Sequence, residues 1–78
     1  MSVLDDAGAM ARAVELAALG PAHGPNPRVG AVITSPTGEV LGEGWHHGVG
    51  TAHAEVKAIE DAAHRGNDIR GATAFVTL

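Results

Sequence analysis

The stretch RVGAVIT, residues 28–34, constrains this chain more than any other part of it. It is short, β-branched and almost wholly apolar, which is the pattern of a strand buried on both faces rather than one alternating toward water. Such a strand belongs in the middle of a sheet. The following SPTG, residues 35–38, puts Ser, Pro and Gly at the first, second and fourth positions of a type I turn. EVLGEGW, residues 39–45, therefore returns antiparallel as a second strand, and the two make a hairpin.

Helical patterns lie on either side of this hairpin. Ser2 followed by Asp5 fits a capping box, and Met10, Ala13, Val14, Ala17 and Ala18 recur at the spacing of one helical face, predicting a helix over 3–19. Gly20 in the left-handed conformation and Pro21 are expected to stop it. Three prolines and a glycine make PAHGPNP, residues 21–27, a loop with little freedom. HHGVGT is a second loop, and residues 52–65 read as a helix closed by Gly66. Around that helix Ala52, Val56, Ile59 and Ala63 share one stripe, while Lys57, Glu60, Asp61 and His64 lie opposite. Glu55 falls on the flank of the apolar stripe, so its carboxylate is expected to point toward the protein. GATAFVTL, residues 71–78, closes the chain as a third strand. The order is α-β-β-α-β, an α/β class, and the strand, crossover helix and strand suggest a parallel pair.

Composition narrows the class of function. Seventy-eight residues, 45% of them hydrophobic, make one small folded domain. Fifteen of these are Ala, with one Phe, one Trp and no Tyr, so the core is expected to be thin. Domains below about 70–80 residues commonly rely on a metal, disulfides or partner subunits for stability. There is no cysteine, which leaves metal or oligomerisation and removes any thiolate ligand. A net charge of −4 with five dispersed Lys and Arg argues against a nucleic acid partner. No run of 18 apolar residues suggests a membrane span, and acidic residues early in the chain are unlike a signal peptide, so the expected location is cytoplasmic.

The chemistry is concentrated in TAHAEV, residues 51–56. His53 and Glu55 straddle the tip of the second helix. One reading is structural: glutamate in a first turn complements the helix dipole, and histidine is ordinary at a helix start. The other is functional. The imidazole of His53 ligates Zn²⁺, held neutral by the positive helix end, while Glu55 moves a proton between water and a leaving amine.

Taken with MARAVELAALG, PNPRVGAVI, GEVLGEGWHHGVGTAHAEVKAI and GATAFVTL, that motif resembles the first half of the zinc-dependent cytidine-deaminase-like superfamily. Within it the chain is most similar to the riboflavin-biosynthesis deaminase domain, which acts on a diaminohydroxy-phosphoribosylamino-pyrimidine. The resemblance implies a three-layer α/β/α fold around a mixed sheet. It implies His53 as zinc ligand, Glu55 as catalytic acid/base, and Asn26, held between Pro25 and Pro27, as a hydrogen-bonding partner of the pyrimidine. By the same analogy His46 contacts substrate, and Ala54 and Val29 to Ala31 line the base pocket through backbone groups. Gly30 fits either close approach to a ligand or simple packing. His47 is read as solvated, and His23 and His64 are assigned no role.

The reaction so implied is hydrolytic deamination, a ring amine leaving as ammonia and a carbonyl taking its place. The superfamily pairs His-x-Glu with a later Pro-Cys and a second Cys. Those cysteines are absent from these 78 residues, so residues 1–78 are expected to be the N-terminal part of a single deaminase domain, inactive alone, whose complete form is a homo-oligomer. Two alternatives are a deaminase of cytidine, guanine or a tRNA adenosine, and a small α/β module without enzymatic activity.

Overall fold

The computed structural model describes residues 3–20, 28–47 and 53–77. Its elements are α1 (Asp6–Ala17), β1 (Gly30–Thr34), β2 (Val40–Trp45), α2 (Ala54–His64) and β3 (Thr73–Val76), in the expected order α-β-β-α-β. Every residue of β1 is buried, and it occupies the centre of the sheet, in the order β2-β1-β3. Gly38 N–H donates to the Ser35 carbonyl at 2.9 Å and Ser35 N–H to the Glu39 carbonyl at 2.8 Å, closing the predicted turn. Gly38 takes φ 91°, a left-handed conformation that glycine adopts without penalty.

The expected parallel pair does not form between neighbours. Both β2 and β3 pair antiparallel with β1. They therefore run in the same direction with β1 between them, and α2 crosses over the central strand to join them. The two helices lie on opposite faces. Val32 packs with Ala13 and Leu16 of α1, whereas Ala31 and Ile33 pack with Ala54 and Ala58 of α2.

Glycines on the sheet set how closely the helices approach. A Cβ at Gly30 would overlap the backbone of Ala13, and one at Gly42 the backbone of Ala58. At Gly44 it would stand 2.5 Å from Ala58 N and 2.6 Å from Ala54 O. Small side chains are favoured under helices seated so low, and this shifts the expected face of α1, of which Ala13 and Ala17 are buried, and overturns that of α2. The buried stripe of α1 is Ala9, Ala13, Leu16 and Ala17, while Met10 and Val14 are exposed. In α2 it is Ala54, Ala58 and Ala62, while Val56 and Ile59 are 41% and 47% exposed. The core is accordingly thin, with Leu16 and Val32 its largest fully buried side chains.

The helix ends also correct the sequence reading. Asp5, rather than Ser2, caps α1, its carboxylate accepting from Gly8 N–H at 2.7 Å. Gly20 does not take a positive φ, and α1 ends through tight turns from Leu19 N–H to Leu16 O and Gly20 N–H to Ala17 O. At the end of α2, Gly66 does take φ 77°, with Gly66 N–H to Ala63 O and Asn67 N–H to Ala62 O forming a Schellman pair.

Asp61, expected on the solvated side of α2, is instead part of a clamp on the outer edge of β2. Its carboxylate accepts from Glu43 N–H at 2.9 Å, and the Asn67 amide donates to the Leu41 carbonyl at 2.8 Å. Glu43 then accepts from Arg12 Nε at 2.6 Å and from Arg65 Nη2 at 3.3 Å, while Arg65 also pairs with Asp61 at 2.8 Å. One carboxylate thus ties α1, β2 and α2 together.

Candidate active site

One end of the sheet gathers the residues with chemistry. The start of β1, the ends of β2 and β3, the C-terminus of α1 and the N-terminus of α2 all meet there. Register brings this about: Gly30 stands opposite Trp45 on one side, and Ala31 opposite Val76 on the other. The Gly30 N–H donates to Thr77 Oγ1, and Thr77 N–H to the Gly30 carbonyl, both at 2.9 Å. These bonds occupy backbone groups of the 29–31 stretch that the sequence reading directed toward a base. The Val29 carbonyl is likewise engaged, accepting from His46 N–H at 3.0 Å. Gly30 serves close helix packing, its second suggested role.

His53 is the N-cap residue of α2, in extended conformation (φ −63°, ψ 158°), and its imidazole makes no capping hydrogen bond. The ring is therefore not consumed by the helix it introduces. Glu55, the second helical residue, is exposed, contrary to the expectation that it points inward. The reason is the helix phase. Ala54 is buried against the sheet, and Glu55 follows it by one step of about 100°. His53 and Glu55 thus flank a buried alanine and straddle the helix tip as the sequence implied. The Ala54 methyl belongs to the core cluster with Ala31 and Ile33, so any part it plays toward a ligand is through its backbone.

His46 follows β2 immediately and is partly buried. Its ring centroid lies 6.2 Å from that of His53, the rings inclined at 44°. The structure therefore brings His46, His53 and Glu55 to one helix tip. His47 is exposed, with its ring 4.8 Å from that of Trp45. Asn26 lies outside the described residues, as do Pro25 and Pro27.

The donor set is short of a metal centre. Among the described residues no group of three His, Cys, Asp or Glu side chains is arranged to hold a metal ion, and the chain has no cysteine. His53 fits one nitrogen ligand, and a catalytic zinc site takes three protein ligands. Two clefts formed by the described residues lie away from this end. One, of about 580 Å³, opens between the start of α1 and the β1–β2 turn; the other, of about 500 Å³, runs along the clamped edge of β2. Neither is lined by His46, His53 or Glu55.

Sequence reasoning missed the Arg12–Glu43–Arg65 clamp. The one available signal was a charged residue set between two glycines in a strand. Arg12 holds the Glu43 carboxyl below its ordinary range by direct hydrogen bonding, with burial opposing and Arg65 adding to the effect.

The chain is similar along most of its length to known proteins. The riboflavin biosynthesis protein PYRD of maize, a chloroplastic protein, is 51% identical over 76 residues, covering 96% of this chain and 18% of the maize protein. A diaminohydroxyphosphoribosylamino-pyrimidine deaminase of Buchnera aphidicola is 43% identical over 76 residues, 96% of this chain and 49% of that protein. The crystal structure of a diaminohydroxyphosphoribosylaminopyrimidine deaminase/5-amino-6-(5-phosphoribosylamino)uracil reductase from Thermotoga maritima superposes with a TM-score of 0.81 at 48% identity, over 88% of this chain and 20% of that one. The chain thus spans half or less of each of these relatives. The family model of the cytidine and deoxycytidylate deaminase zinc-binding region matches residues 4–78, and the chain belongs to that family.

Proposed function

We propose that this chain supplies the His-x-Glu half of the active site of a zinc-dependent deaminase that acts on a phosphoribosylated diaminopyrimidine in riboflavin biosynthesis. The observation that carries this reading is the placement of His53 and Glu55 on either side of buried Ala54, at the tip of a helix anchored on Gly42 and Gly44, with His46 beside them. The names borne by the Buchnera and Thermotoga relatives support the substrate class, and that of the maize protein the pathway.

His53 contributes one imidazole to the zinc ion, and the ligands that complete the set come from outside these 78 residues. Zinc, when bound, supplies Lewis-acid activation of water. Glu55 passes one proton of the attacking water to the ring nitrogen and the second, taken from the hydroxyl left on the ring carbon, to the departing amine; the C–N bond breaks, ammonia leaves, and the carbon keeps the water oxygen as a carbonyl. An exposed carboxylate at the first turn of a rigid helix is suited to this, because it reaches a ligand outside the core without disturbing the packing beneath. His46 and Asn26 orient the pyrimidine, and Ala54 presents its backbone to it.

The domain that performs the reaction comprises these residues as its N-terminal part and is a homo-oligomer. The net charge of −4 favours a small substrate over tRNA. Ammonia release is the test, measured for the intact enzyme against the phosphoribosylated diaminopyrimidine, cytidine, guanine and tRNA. Preferential turnover of the first is expected, and preferential turnover of any other overturns the substrate assignment.

A further inference from the structure

We infer that Gly20 is a positioning residue for His46. The proposal rests on the reading of His46 as a substrate contact and adds to it the device that holds this histidine in place.

Gly20 ends α1 on the opposite face of the sheet from α2, and nothing in its backbone conformation demands glycine, since its φ is not positive. Space demands it. A Cβ built on Gly20 would stand 2.8 Å from the His46 carbonyl oxygen and 3.4 Å from that of Ala17, and the first approach is closer than real Cβ atoms make. The paired tight turns at Leu19 and Gly20 draw the end of α1 inward against the residue that leaves β2. From the other side, His46 N–H is held by the Val29 carbonyl at 3.0 Å. The His46 backbone is thus fixed at two points, by a hydrogen bond to the chain entering β1 and by contact with a glycine that has no side chain to push it away.

Fixing this backbone fixes the origin of the imidazole, whose centroid lies 6.2 Å from that of His53. A group that orients substrate must be held to a fraction of an ångström, and misplacement by about 1 Å costs as much as 10²-fold in rate. The methyl group of a Gly20→Ala variant would displace the His46 carbonyl by a few tenths of an ångström. The backbone of Gly20 itself accommodates alanine, so the substitution tests space alone.

The experiment compares Gly20→Ala, His46→Ala and the double variant in the intact enzyme. The expected result is a kcat/KM for the phosphoribosylated diaminopyrimidine lowered about tenfold by Gly20→Ala, with zinc content near that of the parent. The double variant is expected to match His46→Ala, because Gly20 acts through His46. Imidazole resonances of His46 should shift in Gly20→Ala and stay in place in Asp5→Ala, which alters only the cap at the far end of α1. Unmoved His46 resonances, or additive losses in the double variant, overturn the positioning role. A shifted His46 resonance combined with an unchanged kcat/KM in His46→Ala upholds the positioning and overturns the substrate contact, so the two failures are separate. Hydrogen exchange on the unaltered protein gives a test that does not depend on the variants folding. The His46 amide is expected to be protected, and exchange as fast as an open loop contradicts the two-point anchor.

Discussion

At the scale of single residues, the reading depends on what His53 and Glu55 are not used for. The imidazole caps nothing, and the carboxylate faces away from the core. Glu55→Gln in the intact enzyme is expected to lower kcat by about 10²–10⁴-fold while zinc content is retained, measured by steady-state kinetics and metal analysis. The motif was legible because the spacing of two residue types is local. Its orientation was not, because it depends on which face of α2 the sheet accepts. The clamp on Glu43 was invisible for a similar reason: its partners Arg12 and Arg65 lie 31 and 22 residues away. That clamp predicts a pH effect. Folding favours the ionised form of Glu43, whose carboxyl is held below its ordinary 4.5, so the unfolded chain takes up the proton first as pH falls. The stabilisation is present above pH 4.5 and is lost on acidification below it. Glu43→Gln should therefore flatten the decline in thermal stability under mildly acid conditions, as followed by circular dichroism.

The elements themselves were largely legible, since β-branched runs, turn residues and helix stops are local signals. β1 and the turn after it, and the Gly66 stop, all stand where the sequence put them. Helix phase was not, because larger side chains ordinarily mark the buried stripe, and here the glycines of the sheet reverse that rule. Val56 and Ile59 look outward because Ala54, Ala58 and Ala62 alone fit against Gly42 and Gly44. Gly42→Ala is thus expected to lift α2 and to cost about 1–3 kcal/mol in denaturant unfolding. Its effect should reach activity too, since α2 carries His53 and Glu55. Asp5→Ala, at the far end of α1, removes a cap worth about 1 kcal/mol and is expected to leave activity unchanged once the protein is folded.

At the scale of the whole molecule, the sheet has two unlike edges. β2 is closed by Asp61 and Asn67, whose side chains bond its outward groups, and by the arginines gathered on Glu43. β3 has a single neighbour, β1, and carries no such clamp among the described residues. An edge of that kind pairs with other strands, so the 78-residue chain alone is expected to self-associate in light scattering, and Ala74→Lys to reduce the association. The parallel direction of β2 and β3 was legible but their adjacency was misjudged, because a crossover helix fixes direction without fixing which strand lies between. Residues, elements and sheet edge come together at the helix tip, where His53 is proposed to bind zinc. Zinc content of the intact enzyme, measured by mass spectrometry for the parent, His53→Ala and Glu55→Gln, tests it most directly. Stoichiometric zinc is expected in the parent and in Glu55→Gln, with its loss in His53→Ala; zinc retained in full by folded His53→Ala would rule out the imidazole as a ligand.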